Sequence, residues 1–147
     1  MQRCGSGSER GMALVEAAMV LPILLLISVG IFEFGRAYQT WQVLTNAARE
    51  GARTSVLPNG AAASVDARVR QYMQDGQLSG FASAAVTVDR AASITVNGAA
   101  QAASQVIIDY PFTFIVLQPV AQLVAPATTA GSPLTMRATA LMRNEAQ

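Results

Sequence analysis

Residues 10–37 read RGMALVEAAMVLPILLLISVGIFEFGRA, and the way this stretch is read decides the fold. No residue from Ala17 to Phe32 is charged, which as a helix rising about 1.5 Å per residue spans roughly 24 Å. A bilayer core is about 30 Å thick, so that piece alone is too short to cross it. A helix from Met12 to Phe34 is long enough, but it takes Glu16 inside the span and Glu33 to its edge. A central charge costs at least about 2.5 kcal/mol in lipid, less near the boundary, and a carboxylate kept there usually has a partner. For Glu33 the i,i+3 spacing to Arg36 suits an ion pair. Pro22 has no N–H to give and its ring crowds the preceding turn, so the helix is expected to bend or loosen there. Gly30 and Gly35 are not at GxxxG spacing and carry little signal for helix pairing.

The rest of the composition agrees with a chain that lives partly outside water. Of its 147 residues 52% are hydrophobic and 13% charged, against about 25% charged in ordinary soluble domains. The length accommodates a short anchor and one small domain, not two compact domains. Ten basic residues, all arginine, are scattered against nine acidic ones for a net charge of +1. No basic patch forms, and nucleic acid is set aside as a partner. The absence of histidine and the presence of one cysteine, Cys4, remove the usual zinc sites, Ser-His-Asp and Cys-His pairs and any internal disulfide. Cys4 is also a poor lipoprotein cysteine, because Met1-Gln2-Arg3 is no apolar signal stretch. Neither cofactor nor metal is expected.

Beyond the span, Tyr38, Trp41, Leu44, Ala48 and Ala52 recur at steps of three and four, so the helix is expected to continue as an amphipathic stretch ending near Arg53. Arg49 and Arg53 favour the negative end of its dipole, and Gly51 permits close backbone approach. Residues 57–64, LPNGAAAS, form a turn-rich linker around Pro58 and Asn59-Gly60, with Ser64 as N-cap of a second, short helix. Val65, Val69, Tyr72 and Met73 make that helix's apolar stripe, and Gly76 suits its end. Period-two patterns follow: AAVTVD (84–89) and SITVNG (93–98), read as a hairpin about Arg90-Ala91-Ala92, then QVIIDYPFTFIV (105–116) and LTMRATALMR (134–143). Val106, Ile108, Tyr110, Phe112 and Phe114 share one face of the third run, and Pro111 places it at an edge or a bulge. Residues 117–133 are a long Pro/Ala/Thr/Gly-rich connection, of a length that is often functional or mobile. The domain organisation is thus 1–11 as leader, 12–34 as transmembrane helix, 35–57 as its amphipathic extension and 58–147 as a small outer domain. The class is α+β: a long N-terminal helix packed on a small antiparallel sheet, with one short extra helix.

That plan resembles type IV pilins and pseudopilins. Gly11 followed by Met12-Ala13-Leu14-Val15-Glu16 is similar to a prepilin processing site, which is cut after the glycine and carries glutamate at the fifth mature position. More closely, RGMALVEAAMVLPILLL, GIFEFGRA, LTNAAREGAR, DYPFTF and the terminal MRNE together resemble the TadE-like family of tight-adherence (Tad, or Flp) pilus systems, densely over residues 10–53. Ala17 departs from the aromatic residue that often follows the glutamate. The resemblance implies a minor pilin of the bacterial inner membrane, with its N-terminus in the cytoplasm and its outer domain periplasmic. Its implied partners are a prepilin peptidase, other Tad minor pilins, the major Flp pilin, the Tad membrane platform and the lipid bilayer. Gly11, Met12 and Glu16 would form the processing site, and Glu16 with Pro22 would serve assembly. Cleavage would leave a cationic amine on Met12 that Glu16, of this chain or a neighbour, could neutralise.

Two other readings compete with this one. An uncleaved single-pass protein would hold its outer domain on the membrane to bind a partner. An exported enzyme would be released by signal peptidase at Ser28-Val29-Gly30, but the apolar stretch is long for a signal peptide and includes Glu16 and Pro22. Its carboxylates, such as Asp66, Asp75, Asp89 and Asp109, have no spacing that groups them, so an enzyme is not expected.

Overall fold

The structure, a computed structural model, describes residues 6–57, 60–124, 129 and 131–144. Arg3, Cys4, Pro58, Asn59 and Glu145 lie outside the described residues. The elements are α1 (Ser6–Ser55), α2 (Ala62–Asp75), a 3-10 turn (Phe81–Ser83), β1 (Ala85–Val96), β2 (Ala99–Phe112), α3 (Leu117–Val124) and β3 (Leu134–Arg143). The class is α+β as expected. The sheet is antiparallel in the order β1-β2-β3. Two compact units divide the chain: Met1–Gly35 with Phe114–Gly131, and Arg36–Thr113 with Ser132–Gln147.

The second unit holds a core of ordinary kind. Leu44, Ala47, Ala48 and Ala52 of α1, Val65, Val69 and Met73 of α2, and Val106, Ile108, Tyr110 and Phe112 of β2 are all buried. The α1 face that enters this core is built from small residues, so the backbones come close. A Cβ on Gly51 would stand 2.6 Å from Val69 Cγ2 and 3.3 Å from Val106 Cγ1, which is the close approach expected of that glycine. Tyr38 and Trp41, by contrast, are 62% and 50% exposed. The buried stripe runs instead through Thr40, Leu44, Ala47, Ala48, Gly51 and Ser55. Spacing alone put the aromatic residues on that stripe, and the structure leaves them outside it.

Helix α2 starts one turn earlier than Ser64 would place it. Ala61 is the N-cap and contributes no side-chain bond, while Ser64 Oγ donates to the Ala61 carbonyl at 2.7 Å from inside the first turn. At the other end Gly76 is the C-cap, and the left-handed residue is Gln77 at φ 59°. The amides of Gln77 and Leu78 bond the carbonyls of Gln74 and Met73, a Schellman closure that satisfies carbonyls the helix end leaves over. Arg70 ties α2 to the segment that leads into β1: its Nε bonds Asp66 at 2.8 Å, and its two Nη atoms reach the carbonyls of Phe81, Ala82 and Ala84.

The hairpin lies elsewhere than about Arg90-Ala91-Ala92. Those residues belong to one continuous β1, where the register shifts between Asp89 and Ala92 and Asp89 Oδ1 accepts from the Ala91 amide at 2.9 Å. The reversal is at Asn97-Gly98, with φ of 52° and 79°. Positive φ at both positions is what a two-residue primed turn demands, and Asn-Gly is its strongest sequence signal. Consequently β2 begins at Ala99, ends at Phe112 and is the central strand. Pro111 is accommodated because β1 pairs no further than Asp109, so beyond it β2 has only β3 as neighbour. Strand β3 has the bounds the alternation suggested, with Ala138 buried opposite Ile108.

Candidate functional site

The first half of α1 carries all the residues that sequence marks for processing and assembly. Gly11, Met12, Glu16 and Pro22 all lie within α1 and are exposed. The helix begins upstream of Gly11, at Ser6, and is helical through Pro22. Around them almost every large side chain is apolar and uncovered, from Met12, Leu14 and Val15 to Ile31, Phe32 and Phe34. The helix is long and apolar enough to cross a membrane, and none of its most apolar window is buried within the protein. An uncovered apolar surface of this size is a contact surface for lipid or for other apolar helices.

The two acids of this half-helix have different environments. Glu16 makes no hydrogen bond or ion pair among the described residues. Glu33 is fully buried, and its Oε1 accepts from the backbone amides of Ile115 at 2.7 Å, Val116 at 2.6 Å and Leu117 at 3.4 Å. These amides open α3, whose first internal bond runs from the Val120 amide to the Val116 carbonyl. A helix start leaves such N–H groups without partners and carries partial positive charge, so a carboxylate there is doubly suited. Sequence inspection missed this cap, because nothing local links Glu33 to a segment some eighty residues away. Helix α3 lies within the 117–133 connection, where Pro119 masks it in the sequence although proline is tolerated in a first turn.

The other motif residues are structural. Glu50 bonds Arg68 at 2.9 Å and approaches Arg53 at 4.0 Å. Arg36 donates to the Thr113 carbonyl and lies over the Phe112 ring, 4.3 Å from its centre. The Tyr110 hydroxyl accepts from the Gly80 amide at 3.2 Å. Asn144 holds the far end of β2, its amide bonding the Ala102 carbonyl and its Oδ1 accepting from Ser104 Oγ at 2.7 Å. Asp109 meets Arg137, its partner on β3, through two bonds of 2.7 and 2.8 Å. Those bonds hold the Asp109 carboxyl below the usual carboxylate range and raise the Arg137 guanidinium.

An open groove of about 600 Å³ lies between α1 and α2, lined by Tyr38, Gln42, Val43, Asn46, Tyr72 and Asp75. Its walls offer amides and phenols but no paired acid and base. Among the described residues no three His, Cys, Asp or Glu side chains stand close enough to hold a metal.

Residues 11–53 match the family model described as TadE-like protein. The match begins at the glycine, covers the uncovered apolar half-helix and ends with the small-residue face around Gly51, which bears out the TadE-like resemblance. No curated protein and no solved structure matches the chain.

Proposed function

We propose that this TadE-like chain is a membrane-anchored minor pilin or pseudopilin that supports assembly of a Tad pilus and catalyses no reaction. The observation that carries the proposal is the uncovered apolar surface from Met12 to Phe34, preceded by Gly11 and interrupted by Glu16. In this reading α1 crosses the inner membrane with its N-terminus in the cytoplasm, and a prepilin peptidase cuts between Gly11 and Met12. The new amine on Met12 then lies one helical turn from Glu16, within the range of i,i+4 neighbours. Pairing of Glu16 with that amine, in the same chain or in the next subunit, removes the cost of a carboxylate in an apolar bundle. Pro22 supplies a point where the helix yields as it moves from lipid to fibre.

The intact mass of the protein extracted from membranes tests the processing step. A mature chain starting at Met12 is expected. The uncleaved full chain would instead favour a single-pass anchored protein whose outer domain binds a partner, and a start near Ile31 would sink both. Glu16→Ala is expected to leave cleavage largely intact while reducing piliation; normal piliation would remove the role assigned to the carboxylate.

A further inference from the structure

Between Asp109 and Arg137 the chain carries no charged residue. Much of that stretch, Phe114–Gly131, forms one compact unit with the apolar half of α1. Within it Ile115 is 61% exposed, although it stands beside amides that are sequestered by a fully buried carboxylate. In water a carboxylate cap of this kind stabilises a helix start; beside a membrane span it meets a stricter demand. Irregular backbone is tolerated at membrane depth only where its N–H groups are satisfied by protein, and a carboxylate at the end of a span needs donors. Glu33 and the 115–117 amides meet both demands at once.

We propose that Phe114–Val124 is a second membrane-contacting element: a strap that lies in the headgroup–acyl boundary beside the end of the α1 span, with Ile115 in lipid. Glu33 is its positioning residue, fixing the strap by capping α3. Gln118 and Gln122, at i,i+4, give the short helix a polar side suited to an interfacial rather than a spanning position. The inference rests on the anchor reading of α1 and extends it to a segment far away in sequence.

The test uses tryptophan emission from the full chain in phosphatidylcholine vesicles with brominated acyl chains. Trp41 is the single tryptophan, so Trp41→Phe provides a silent background. On it, Leu24→Trp reports the anchor and Ile115→Trp reports the strap. Both are expected to be quenched, Ile115→Trp about two-fold by lipid brominated near the headgroup, as befits a depth of roughly 5–10 Å. If Leu24→Trp is quenched and Ile115→Trp is not, the strap proposal is overturned and the anchor stands, whether water or a second copy covers Ile115. If neither is quenched, the anchor reading fails as well. Adding Glu33→Leu should abolish quenching of Ile115→Trp and spare that of Leu24→Trp; unchanged quenching at both would overturn the positioning role.

Discussion

Replacing Gly51 by alanine tests the packing that holds α1 against the outer domain. The new methyl would arrive 2.6 Å from Val69 Cγ2, 3.3 Å from Val106 Cγ1 and 3.6 Å from Val65 Cγ1. Carbon atoms in contact ordinarily sit about 3.5–4.0 Å apart, so the Val69 methyl must retreat by about 1 Å or the helices must separate. Val69 is fully buried, as are Val65 and Val106, so the strain has little room to spread. Overpacking of this kind costs about 1–3 kcal/mol. Alanine in place of glycine within a helix returns about 1 kcal/mol. A net loss of about 1 kcal/mol is therefore expected, read as a lower urea midpoint for the full chain in detergent. Val69→Ala makes space where the new methyl needs it, so the double variant should be more stable than the two single losses added together, by about 1 kcal/mol. Strict additivity, or a Gly51→Ala variant more stable than the parent, would refute the close-approach argument.

Two further changes probe the same unit. Gln77 holds a left-handed conformation at φ 59°, which costs an L-residue about 1–2 kcal/mol; Gln77→Gly should raise the unfolding midpoint by an amount equivalent to about 0.5–1 kcal/mol after the extra chain entropy of glycine is subtracted. No gain would mean that the cap is not the source of strain. Asp109, whose folded pKa is lowered by its bonds to Arg137, contributes stability that is present above the ordinary carboxylate value of about 3.9 and disappears as pH falls through the lowered one. Urea midpoints of the parent and of Asp109→Asn should accordingly differ at neutral pH and converge in acid, and a difference independent of pH would contradict the pairing.

The parts of the fold that rest on local regularity were legible in the sequence. Strand β3 was bounded correctly because its alternation is unbroken, and Val65, Val69 and Met73 were placed in the core by spacing that only a helix satisfies. Errors arose where two local signals competed. The run around Arg90 interrupts two β-branched stretches and looks like a turn, yet it has no residue suited to positive φ, whereas Asn97-Gly98 has both. Tyr38 and Trp41 fit the apolar period yet are exposed, so period alone did not show where the covered part of the stripe begins. The Glu33 cap was illegible for a different reason: its geometry depends on how the chain returns to α1 after β2, which no pattern within a short window encodes.

That cap also changes what the apolar helix implies. Two glutamates in an otherwise uncharged stretch pose the same energetic problem, and a chain can solve it from within or leave it to a partner. Glu33 is solved from within, by amides that themselves need an acceptor, and altering it should displace α3 before it affects assembly. Glu16 stands on the same helix with no such donors among the described residues. A carboxylate in that position needs a partner in lipid, and on the proposed processing the nearest new cation is the amine that cleavage creates on Met12. The chemistry of cutting after Gly11 and the chemistry of satisfying Glu16 are therefore coupled: blocking the first, for example by Gly11→Ala, should impair assembly as Glu16→Ala does, and combining the two should add little further loss, because both remove the same pair.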